Sequence, residues 1–382
     1  MAGRVGALAA GAALLVVLLE LAEPHGASAK PLVPAVFVFG DSLVDVGNNN
    51  HLPKCNASCK ANYPRYGVDR PRHSPTGRFS NGFNLADQLA QMLGFPESPP
   101  PLLSLPKSRL VPQMSRGGIN FASGGAGLLD RTGPRVCGEV LSMTAQVGNF
   151  TDLARQWKRE DQTAADLISK SLFFISVGSN DLFEYSDSPQ AHDRNDTQLF
   201  LQDLVASYTS HIKELYAAGA KKFSVVSPSL VGCCPSQRAL AHDPKGPKDA
   251  DKYGCLGAAN NLSRQLYPMV ASMLQDLSLE LSCMNYSLGD AVGMAEFVFR
   301  SPNTAAYNFT ELEKACCGRG YFGEGGCNPR APLCQNRTGY VFWDGYHPTE
   351  AASAVTAKEL FVDTGLFVHP INVQQLVAAS QP

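Results

Sequence analysis

The sequence predicts an α/β fold with a central parallel β-sheet, and three observations support this. Short apolar segments rich in Val, Ile and Phe recur along the chain. The longer segments between them carry apolar residues at positions i, i+3, i+4 and i+7, the period of an amphipathic helix. The short segments are apolar throughout, which is typical of strands covered on both faces. Strands that alternate with helices form βαβ units, and such units build a parallel sheet.

Five strands and four helices are expected in alternation. The strands are predicted at residues 35–39, 118–121, 172–177, 222–226 and 286–288. The helices are predicted at residues 81–95, 141–160, 197–222 and 258–281. In the first helix the apolar side chains fall on one side, namely Phe83, Leu85, Leu89, Met92 and Leu93.

Segments rich in Pro, Gly and polar residues interrupt this pattern. The two main inserts lie near residues 51–76 and 235–255, and a shorter one has the sequence PESPPPLLSLP. They are predicted to be surface loops because none of them separates two self-contained periodic halves. Residues 30–382 are therefore expected to form one domain.

Residues 1–29 are predicted to be a cleaved secretory signal. Arg4 supplies a positive charge, an apolar run follows over residues 5–19, and Ala27-Ser28-Ala29 offers small residues for cleavage. An uncleaved anchor is the alternative, but a membrane-spanning helix needs about 20 apolar residues. Glu20 interrupts the run before that length, so the mature chain is expected to begin near Lys30.

Sequons and cysteines favour the same secretory route. Seven N-x-[ST] sequons are candidate glycosylation sites: Asn56, Asn149, Asn195, Asn261, Asn285, Asn308 and Asn336. The chain has 11 cysteines, which in an exported protein are expected to form disulfides. Because the total is odd, at least one cysteine is expected to remain unpaired within the chain.

A zinc site is the alternative for four clustered cysteines, Cys316, Cys317, Cys327 and Cys334. Four thiolates could hold a tetrahedral metal, but the cluster lacks a C-x2-C knuckle, and thiols exported through an oxidising lumen usually pair. Disulfides are therefore preferred here, with a connectivity that the sequence leaves open.

Charge and composition limit the classes of partner. The formal net charge is −2 and 17% of the residues are charged. A nucleic-acid-binding protein needs a basic stripe, which this chain lacks, so nucleic acid is not expected as a partner. The hydrophobic content of 44% is ample for a large buried core.

The strand at residues 35–39 leads into a Gly-Asp-Ser turn that indicates a nucleophile at Ser42. Open α/β sheets bind ligands at the carboxyl ends of their strands, and this turn delivers Ser42 there. A serine hydroxyl needs a base, which a third group normally orients. The following Asn48, Asn49 and Asn50 are expected to hold this loop by bonding nearby backbone, with substrate contact as the alternative.

His347 is the best candidate for the base among the eight histidines. Asp344 lies three residues before it in a Gly-containing turn, and such a turn can fold the carboxylate toward the imidazole. A helix is predicted to begin just after His347, with Pro348 near its first position. Taken alone, the motif also fits a turn cap beside an ordinary histidine. His211 lies on a predicted amphipathic helix and is expected to be a surface or packing residue.

Two further segments offer donors for a developing oxyanion. GGINFASGGAGLLD, residues 117–130, and FFISVGSNDLFEY, residues 173–185, each follow or end a predicted strand. Their loops should therefore open onto the same sheet edge as Ser42. Gly125 would present its backbone N–H, Asn180 its side-chain amide and Ser42 its backbone N–H. A tight turn and a helix N-cap are the alternative interpretations of Gly125 and Asn180.

These four blocks, around Ser42, Gly125, Asn180 and His347, resemble those of the SGNH hydrolases. More narrowly, FVFGDSLVDVGNNN, GRFSNG, NFASGGAG, GSND and FWDGYHPTE are similar in order and spacing to the motifs of the plant GDSL esterase/lipase family. The resemblance covers nearly the whole chain after residue 29, including CCGRGYFGEGGC. The segment SPSLVGCCP departs from the glycine- and proline-rich version of that loop, which leaves one wall of the acyl pocket undefined.

The resemblance implies a three-layer α/β/α sandwich of flavodoxin-like type. It implies that Ser42 is the nucleophile, that His347 is the general base and acid, and that Asp344 orients His347. It also implies an oxyanion hole formed by Ser42, Gly125 and Asn180, and it implies no metal or organic cofactor. The serine motif is not G-x-S-x-G, so the nucleophile elbow of the α/β-hydrolases is not expected.

The family glycine of the oxyanion hole matches either Gly124 or Gly125. The spacing from Asn120 favours Gly125.

The implied activity is hydrolysis of carboxylic esters. Short-acyl esters such as O-acetyl groups on cell-wall xylan are slightly favoured, because no long apolar lid is visible and the secretory route leads past such polymers. Acyl lipids are the alternative substrate, with PPPLLSLP as a possible apolar lip, and acyl transfer to another alcohol would use the same residues. A non-catalytic binding glycoprotein would be expected to lack Ser, Asp or His, and all three are present. The extracellular space or cell wall is the expected location, with the Golgi lumen as the alternative.

Overall fold

The computed structural model contains a central β-sheet flanked by helices, and it describes residues 30–246, 249–300 and 307–379. The strands are β1 (Val36–Gly40), β2 (Pro64–Gly67), β3 (Leu172–Ser176), β4 (Lys222–Val226), β5 (Asn285–Gly289), β6 (Glu311–Ala315), β7 (Tyr340–Phe342) and β8 (Val368–Pro370). The described residues after Lys30 belong to one compact unit. The predicted secretory signal at residues 1–29 lies outside the described part of the chain.

The α-helices of the described residues are α1 (Leu85–Met92), α2 (Lys107–Ser115), α3 (Pro134–Cys137), α4 (Met143–Glu160), α5 (Ala164–Lys170), α6 (Ser179–Ser186), α7 (Arg194–Ala217), α8 (Pro235–Ala241), α9 (Gly257–Glu280), α10 (Ala291–Phe299), α11 (Glu350–Val362) and α12 (Val373–Ala378). The four predicted helices are present as α1, α4, α7 and α9. The insert predicted near residues 235–255 begins with a short helix, α8, that its polar composition did not indicate.

The main sheet has five strands in the order β1-β3-β4-β5-β8. β1, β3, β4 and β5 are parallel neighbours, as predicted, and β8 pairs antiparallel with β5. β8 was not predicted, because three residues that end in Pro370 give no strand pattern. β6 and β7 form a separate two-stranded sheet.

The predicted strand at residues 118–121 is wrong as a regular strand. The segment runs beside β1, with Phe121 N–H donating to Val38 O at 2.8 Å, but it forms only isolated bridges. Gly118 has φ +99°, outside the extended region, so a regular strand cannot begin there. A Cβ at Gly118 would lie 1.9 Å from Val36 O, so this close approach requires glycine. This segment is second in the chain and lies at the edge of the sheet beside β1. If it is counted as a strand, the parallel segments follow the order 2-1-3-4-5 of a flavodoxin-like sheet.

Alternate side chains of the sheet face two separate apolar layers. Phe37 and Phe39 of β1 pack in a cluster with residues of α4, α7 and α9. Val36 and Val38 pack on the opposite face with residues of α1, α11 and α12. The fold is therefore the expected three-layer α/β/α sandwich, and the carboxyl ends of its parallel strands meet at one edge.

Four disulfides link segments of the chain outside the strands of the main sheet: Cys59–Cys137, Cys233–Cys255, Cys316–Cys334 and Cys317–Cys327. The four cysteines weighed as a zinc site are thus paired with each other as disulfides. Three cysteines are free, Cys55, Cys234 and Cys283. The odd total of 11 required at least one unpaired cysteine, so this agrees with the expectation. Within the described ranges, no helix combines the length and apolar character needed to cross a membrane.

Candidate active site

The turn after β1 is fixed by contacts that leave little freedom at Ser42. Gly40 has φ +142°, and a Cβ there would lie 1.9 Å from Ser176 O, so the position requires glycine. The Gln146 side chain accepts from Gly40 N–H at 2.8 Å and donates to Gly40 O at 2.9 Å. Asp41 N–H donates to Ser176 O at 3.1 Å. Ser42 therefore lies at the carboxyl edge of the sheet, as expected from the sequence.

The structure brings Ser42, His347 and Asp344 together in one hydrogen-bonded chain. His347 Nε2 lies 2.8 Å from Ser42 Oγ. His347 Nδ1 lies 2.8 Å from Asp344 Oδ1 and 2.9 Å from Oδ2. Because Nδ1 faces a carboxylate and donates to it, Nε2 is left to accept the proton of the serine hydroxyl.

Asp344 is held by more donors than the imidazole alone. Tyr66 Oη donates to Oδ2 at 2.8 Å, and the backbone N–H groups of Tyr346 and His347 donate to Oδ1 at 2.9 Å each. Burial alone would raise the pKa of Asp344, but the charge of His347 and these hydrogen bonds lower that pKa below its ordinary value. Asp344 is therefore ionised beside the imidazole at neutral pH.

Aromatic packing fixes the imidazole from another side. The Phe79 and His347 rings lie 4.8 Å apart between centroids, with 33° between their planes. The backbone N–H of Trp343 also donates to the backbone oxygen of His347 at 2.7 Å.

The helix predicted after His347 begins at Glu350 and is capped by Thr349, so Pro348 precedes the cap and does not occupy the first helical position. The Thr349 side chain accepts from Ala352 N–H, which explains why Thr349 takes the cap.

The sequence-based choice of Gly125 over Gly124 agrees with the backbone contacts. Gly124 is buried, and its N–H already donates to Asp45 Oδ2 at 3.0 Å. Gly125 is half-buried, has φ +86°, and its N–H has no hydrogen-bond partner among the described residues. The same holds for Ser42 N–H within the described ranges. Both residues line the same cavity.

Asn180 lines the same cavity from the second residue of α6. Its Nδ2 donates to Ala126 O at 2.9 Å, and an amide nitrogen carries a second hydrogen that remains available. The N-cap of α6 is Gly178, so the alternative interpretation of Asn180 as a helix cap does not apply.

Two buried carboxylates hold the loops that carry these donors. Asp181 accepts from Leu128 N–H at 2.8 Å and from Thr132 Oγ1 at 2.7 Å. These bonds connect α6 to the loop that contains Gly124 and Gly125, called the glycine loop below. Asp45 accepts from Asn48 N–H at 2.8 Å, besides Gly124 N–H. Burial raises the pKa of Asp45 to about 6 and that of Asp181 to about 6. The sequence-based interpretation singled out neither aspartate, although both lie inside its motifs.

The asparagines after Ser42 bond backbone carbonyls, as the structural interpretation expected. Asn48 Nδ2 donates to Asn120 O and Ala122 O, at 3.0 and 2.8 Å. Asn49 Nδ2 donates to Gly124 O at 2.8 Å, and Asn50 Nδ2 bonds Thr76 O at 2.9 Å. The bonds of Asn48 and Asn49 join the loop after β1 to the loop that contains Gly125, and the bond of Asn50 joins it to the segment before the GRFSNG motif. His211 is buried in α7, which makes it a packing residue rather than a surface one.

A cavity of about 450 Å³ opens at the serine. One part of its wall is apolar and includes Val231, Met294, Val298, Phe299, Phe309 and Phe342. Another part carries polar side chains, namely Ser58, Arg135, Glu184 and Asp187. The segment SPSLVGCCP, residues 227–235, contributes Ser227, Ser229, Leu230, Val231 and Cys234 to the wall. Polar side chains in the same cavity as this apolar wall, called the apolar chamber below, suit an ester with an apolar acyl group and a polar alcohol.

Tyr66, Phe79 and Gln146 are site residues that sequence reasoning did not assign. Tyr66 lies 278 residues from Asp344 in the chain, inside an insert predicted as a surface loop. Phe79 belongs to the GRFSNG motif, so its motif membership was the only available signal. Gln146 occupies an apolar helix face, and a buried glutamine on such a face was the signal that it bonds backbone.

Comparison with known proteins agrees with this architecture. A family model for GDSL-like Lipase/Acylhydrolase matches residues 36–360. GDSL esterase/lipase At5g55050 of Arabidopsis thaliana is 36% identical, covering 91% of this chain and 90% of that protein. GDSL esterase/lipase At1g71691 of the same plant is 36% identical, covering 94% of this chain and 92% of that protein. The chain therefore belongs to the GDSL-like lipase/acylhydrolase family and is a carboxylic ester hydrolase.

Proposed function

We propose that the enzyme works through an acyl-enzyme on Ser42, with His347 as general base and acid and Asp344 as the residue that orients His347. The observation that carries this proposal is the hydrogen-bonded chain through the three side chains, with 2.8 Å from Ser42 Oγ to His347 Nε2 and 2.8 Å from His347 Nδ1 to Asp344. A serine within this reach of a carboxylate-oriented imidazole has the geometry of an activated nucleophile.

The first half of the reaction forms the acyl-enzyme. Ser42 Oγ attacks the ester carbonyl carbon while its proton passes to His347 Nε2, and the carbonyl electron pair moves onto oxygen. The backbone N–H groups of Ser42 and Gly125 and the amide of Asn180 donate to that oxyanion. When the carbonyl re-forms, the bond to the alcohol oxygen breaks, and His347 gives its proton to the leaving alkoxide.

The second half releases the acid. A water molecule attacks the acyl carbon while His347 Nε2 takes its proton. Collapse of the second tetrahedral intermediate breaks the bond to Ser42 Oγ, which recovers the proton from His347. The ionised Asp344 stabilises the imidazolium in both halves. If another alcohol replaces this water, the same steps transfer the acyl group.

The cavity supports an apolar acyl group rather than an acetyl group as the preferred substrate. The cavity of about 450 Å³ includes an apolar chamber, whose wall an acetyl group would leave largely uncovered. An apolar chain gains about 0.8 kcal/mol for each methylene that it buries. Among the substrates considered from the sequence, acyl lipids therefore fit better than O-acetyl groups of xylan, which were slightly favoured there.

Secretion to the extracellular space or cell wall is proposed as well, with the Golgi lumen as the alternative. The four disulfides support passage through an oxidising compartment. The sequons most accessible to glycosylation are the exposed ones, Asn56, Asn195, Asn261, Asn308 and Asn336. Asn149 and Asn285 are half-buried, and the structure therefore favours them less.

The proposal is tested by hydrolysis of p-nitrophenyl acetate, p-nitrophenyl octanoate, p-nitrophenyl palmitate and acetylated xylan. Ser42→Ala should lose all activity and all labelling by a fluorophosphonate. Ser179→Ala should keep both, since Ser179 lines the same cavity and its hydroxyl does not contact His347. The octanoate or palmitate should exceed the acetate in kcat/KM.

Other outcomes of this assay point to the other candidates. Dominant release of acetate from xylan would restore the short-acyl interpretation. Activity that survives in Ser42→Ala would overturn the assignment of the nucleophile. Acyl transfer is recognised by formation of a new ester when glycerol is added to the reaction.

A further inference from the structure

The apolar chamber runs along two helices. One side of each helix, α10 and α11, lines the chamber, because the lining residues of each helix recur at intervals of three or four positions. The lining residues of α10 are Ala291, Met294, Ala295, Val298 and Phe299, and those of α11 are Ala352, Ser353, Val355, Thr356 and Glu359, so the α10 side is apolar and the α11 side is mixed. The chamber therefore follows the lengths of both helices.

Both helices begin at the carboxyl edge of the sheet, where Ser42 lies. Positions farther along each helix are therefore farther from Ser42. α10 starts two residues after β5 ends at Gly289, and α11 starts three residues after His347. Glu359 lies seven residues beyond Ala352, which corresponds to about 10 Å along the helix axis. A medium-chain acyl group has a comparable extended length, so the far end of a chain that binds along α11 would lie near Glu359.

The far end of the chamber is polar. Tyr307 Oη donates to Glu359 Oε1 at 3.2 Å, both side chains are half-buried, and both line the cavity. Burial, and then the charge of Glu359, raises the pKa of Tyr307 to about 12, so its hydroxyl remains a donor. Within the described ranges, no other side chain donates to Glu359.

An apolar wall that ends in a carboxylate discriminates between chain ends. Covering the carboxylate with a methyl terminus removes water from it without supplying a hydrogen bond, which is unfavourable. A hydroxyl terminus would donate to the acceptor sites of Glu359 that Tyr307 leaves unused. A carboxylate terminus would be repelled by the like charge.

We propose that Tyr307 and Glu359 form a specificity site for medium-chain acyl groups that carry a hydroxyl at or near their far end. This proposal rests on the proposed ester hydrolysis at Ser42. Glu359 contacts the acyl chain and not the reacting atoms, so it determines which ester is used and leaves the chemical steps unchanged.

The test compares p-nitrophenyl esters of octanoic acid, ω-hydroxyoctanoic acid and suberic acid, with p-nitrophenyl acetate as a ligand too short to reach Glu359. The wild type should favour the hydroxy ester over octanoate by about tenfold in kcat/KM, the effect of one hydrogen bond to a charged group. The suberate ester should be the poorest of the longer three. Tyr307→Phe and Glu359→Gln test the two partners separately.

Glu359→Leu should abolish the preference for the hydroxy ester and raise kcat/KM for octanoate. Its activity on the acetate should equal that of the wild type, and so should all activities of Lys358→Leu, an exposed neighbour on the same helix. Equal use of octanoate and hydroxyoctanoate by the wild type would overturn the inference alone. So would a preference that persists in Glu359→Leu. If the wild type cleaves none of these esters, the proposed function fails and this inference fails with it.

Discussion

Replacing Tyr66 by phenylalanine tests how much of the catalytic geometry depends on an insert far from the motifs. Tyr66 Oη donates to Asp344 Oδ2 at 2.8 Å, and the two side chains lie in residues that are 5% and 4% exposed. Tyr66→Phe removes this donor without removing the ring. The ring still packs edge-on against Tyr63 and Phe79, at 5.2 and 6.0 Å between centroids.

The expected cost follows from what remains around the carboxylate. A hydrogen bond to a charged group contributes about 1.5–3 kcal/mol. Asp344 keeps its contacts with the imidazole and with two backbone N–H groups, so the loss should fall near the lower end of that range. A loss of about 1.4 kcal/mol in the transition state corresponds to about tenfold in rate. We therefore expect kcat to fall about tenfold with KM unchanged, because Tyr66 contacts Asp344 and not the cavity.

The assay is steady-state hydrolysis of p-nitrophenyl octanoate, together with urea denaturation of each variant. Tyr340→Phe is the matched control, since Tyr340 packs in the same cluster and its hydroxyl does not contact Asp344. The free energy of unfolding should fall for Tyr66→Phe. A lower stability with an unchanged kcat would refute the positioning role and leave Tyr66 as a packing residue. A raised KM would indicate that Tyr66 contacts the substrate instead.

Three further predictions concern the serine loop and the oxyanion donors. Asn180→Ala should lower kcat about 100-fold on octanoate esters, the usual effect of losing one oxyanion donor. Gly125→Ala should abolish activity, because φ is +86° and a Cβ would lie 2.5 Å from Cys137 Sγ, whereas Gly148→Ala, with nothing within 4 Å, should keep full activity in the same assay. Burial raises the pKa of Asp41 from 3.8 to about 7. The contribution of protonated Asp41 to the free energy of unfolding is therefore fully present below about pH 4 and is lost as the pH rises through 7. The melting temperature of Asp41→Asn relative to that of the wild type should therefore rise between pH 5 and pH 8, because only the wild type has a carboxyl there to ionise.

The positions of the candidate site residues were predictable because each of them lies in a short segment with its own pattern. The turn after β1, the glycine loop, the start of α6 and the turn before α11 each carry a local pattern that names one residue, respectively Ser42, Gly125, Asn180 and His347. Parallel strands place their carboxyl ends at one edge, so the fold alone brings such residues near each other. Asp344 was predictable for the same reason, because it bonds His347 from within one turn.

The supports of the site were not predictable in the same way. Tyr66 reaches Asp344 across 278 residues, and Gln146 bonds Gly40 across 106. No pattern of period 2 or 3.6 marks such pairs, since both partners are single polar groups in apolar or loop surroundings. The strand predicted at 118–121 failed for a related reason: apolar composition does not reveal that Gly118 takes a positive φ to approach Val36.

The proposed substrate specificity depends on the space between elements rather than on any one of them. α10 and α11 are separated by about 50 residues of sequence that contains two disulfides, and neither helix alone indicates a chamber. Apolar residues of both helices, among them Met294, Val298 and Val355, line the same cavity as Ser42. An apolar face left open next to a nucleophile contributes to binding only when an acyl chain covers it. In this proposal Ser42, His347 and Asp344 account for the cleavage of an ester, while the separation of these helices, and Glu359 beyond them, would select which ester is used.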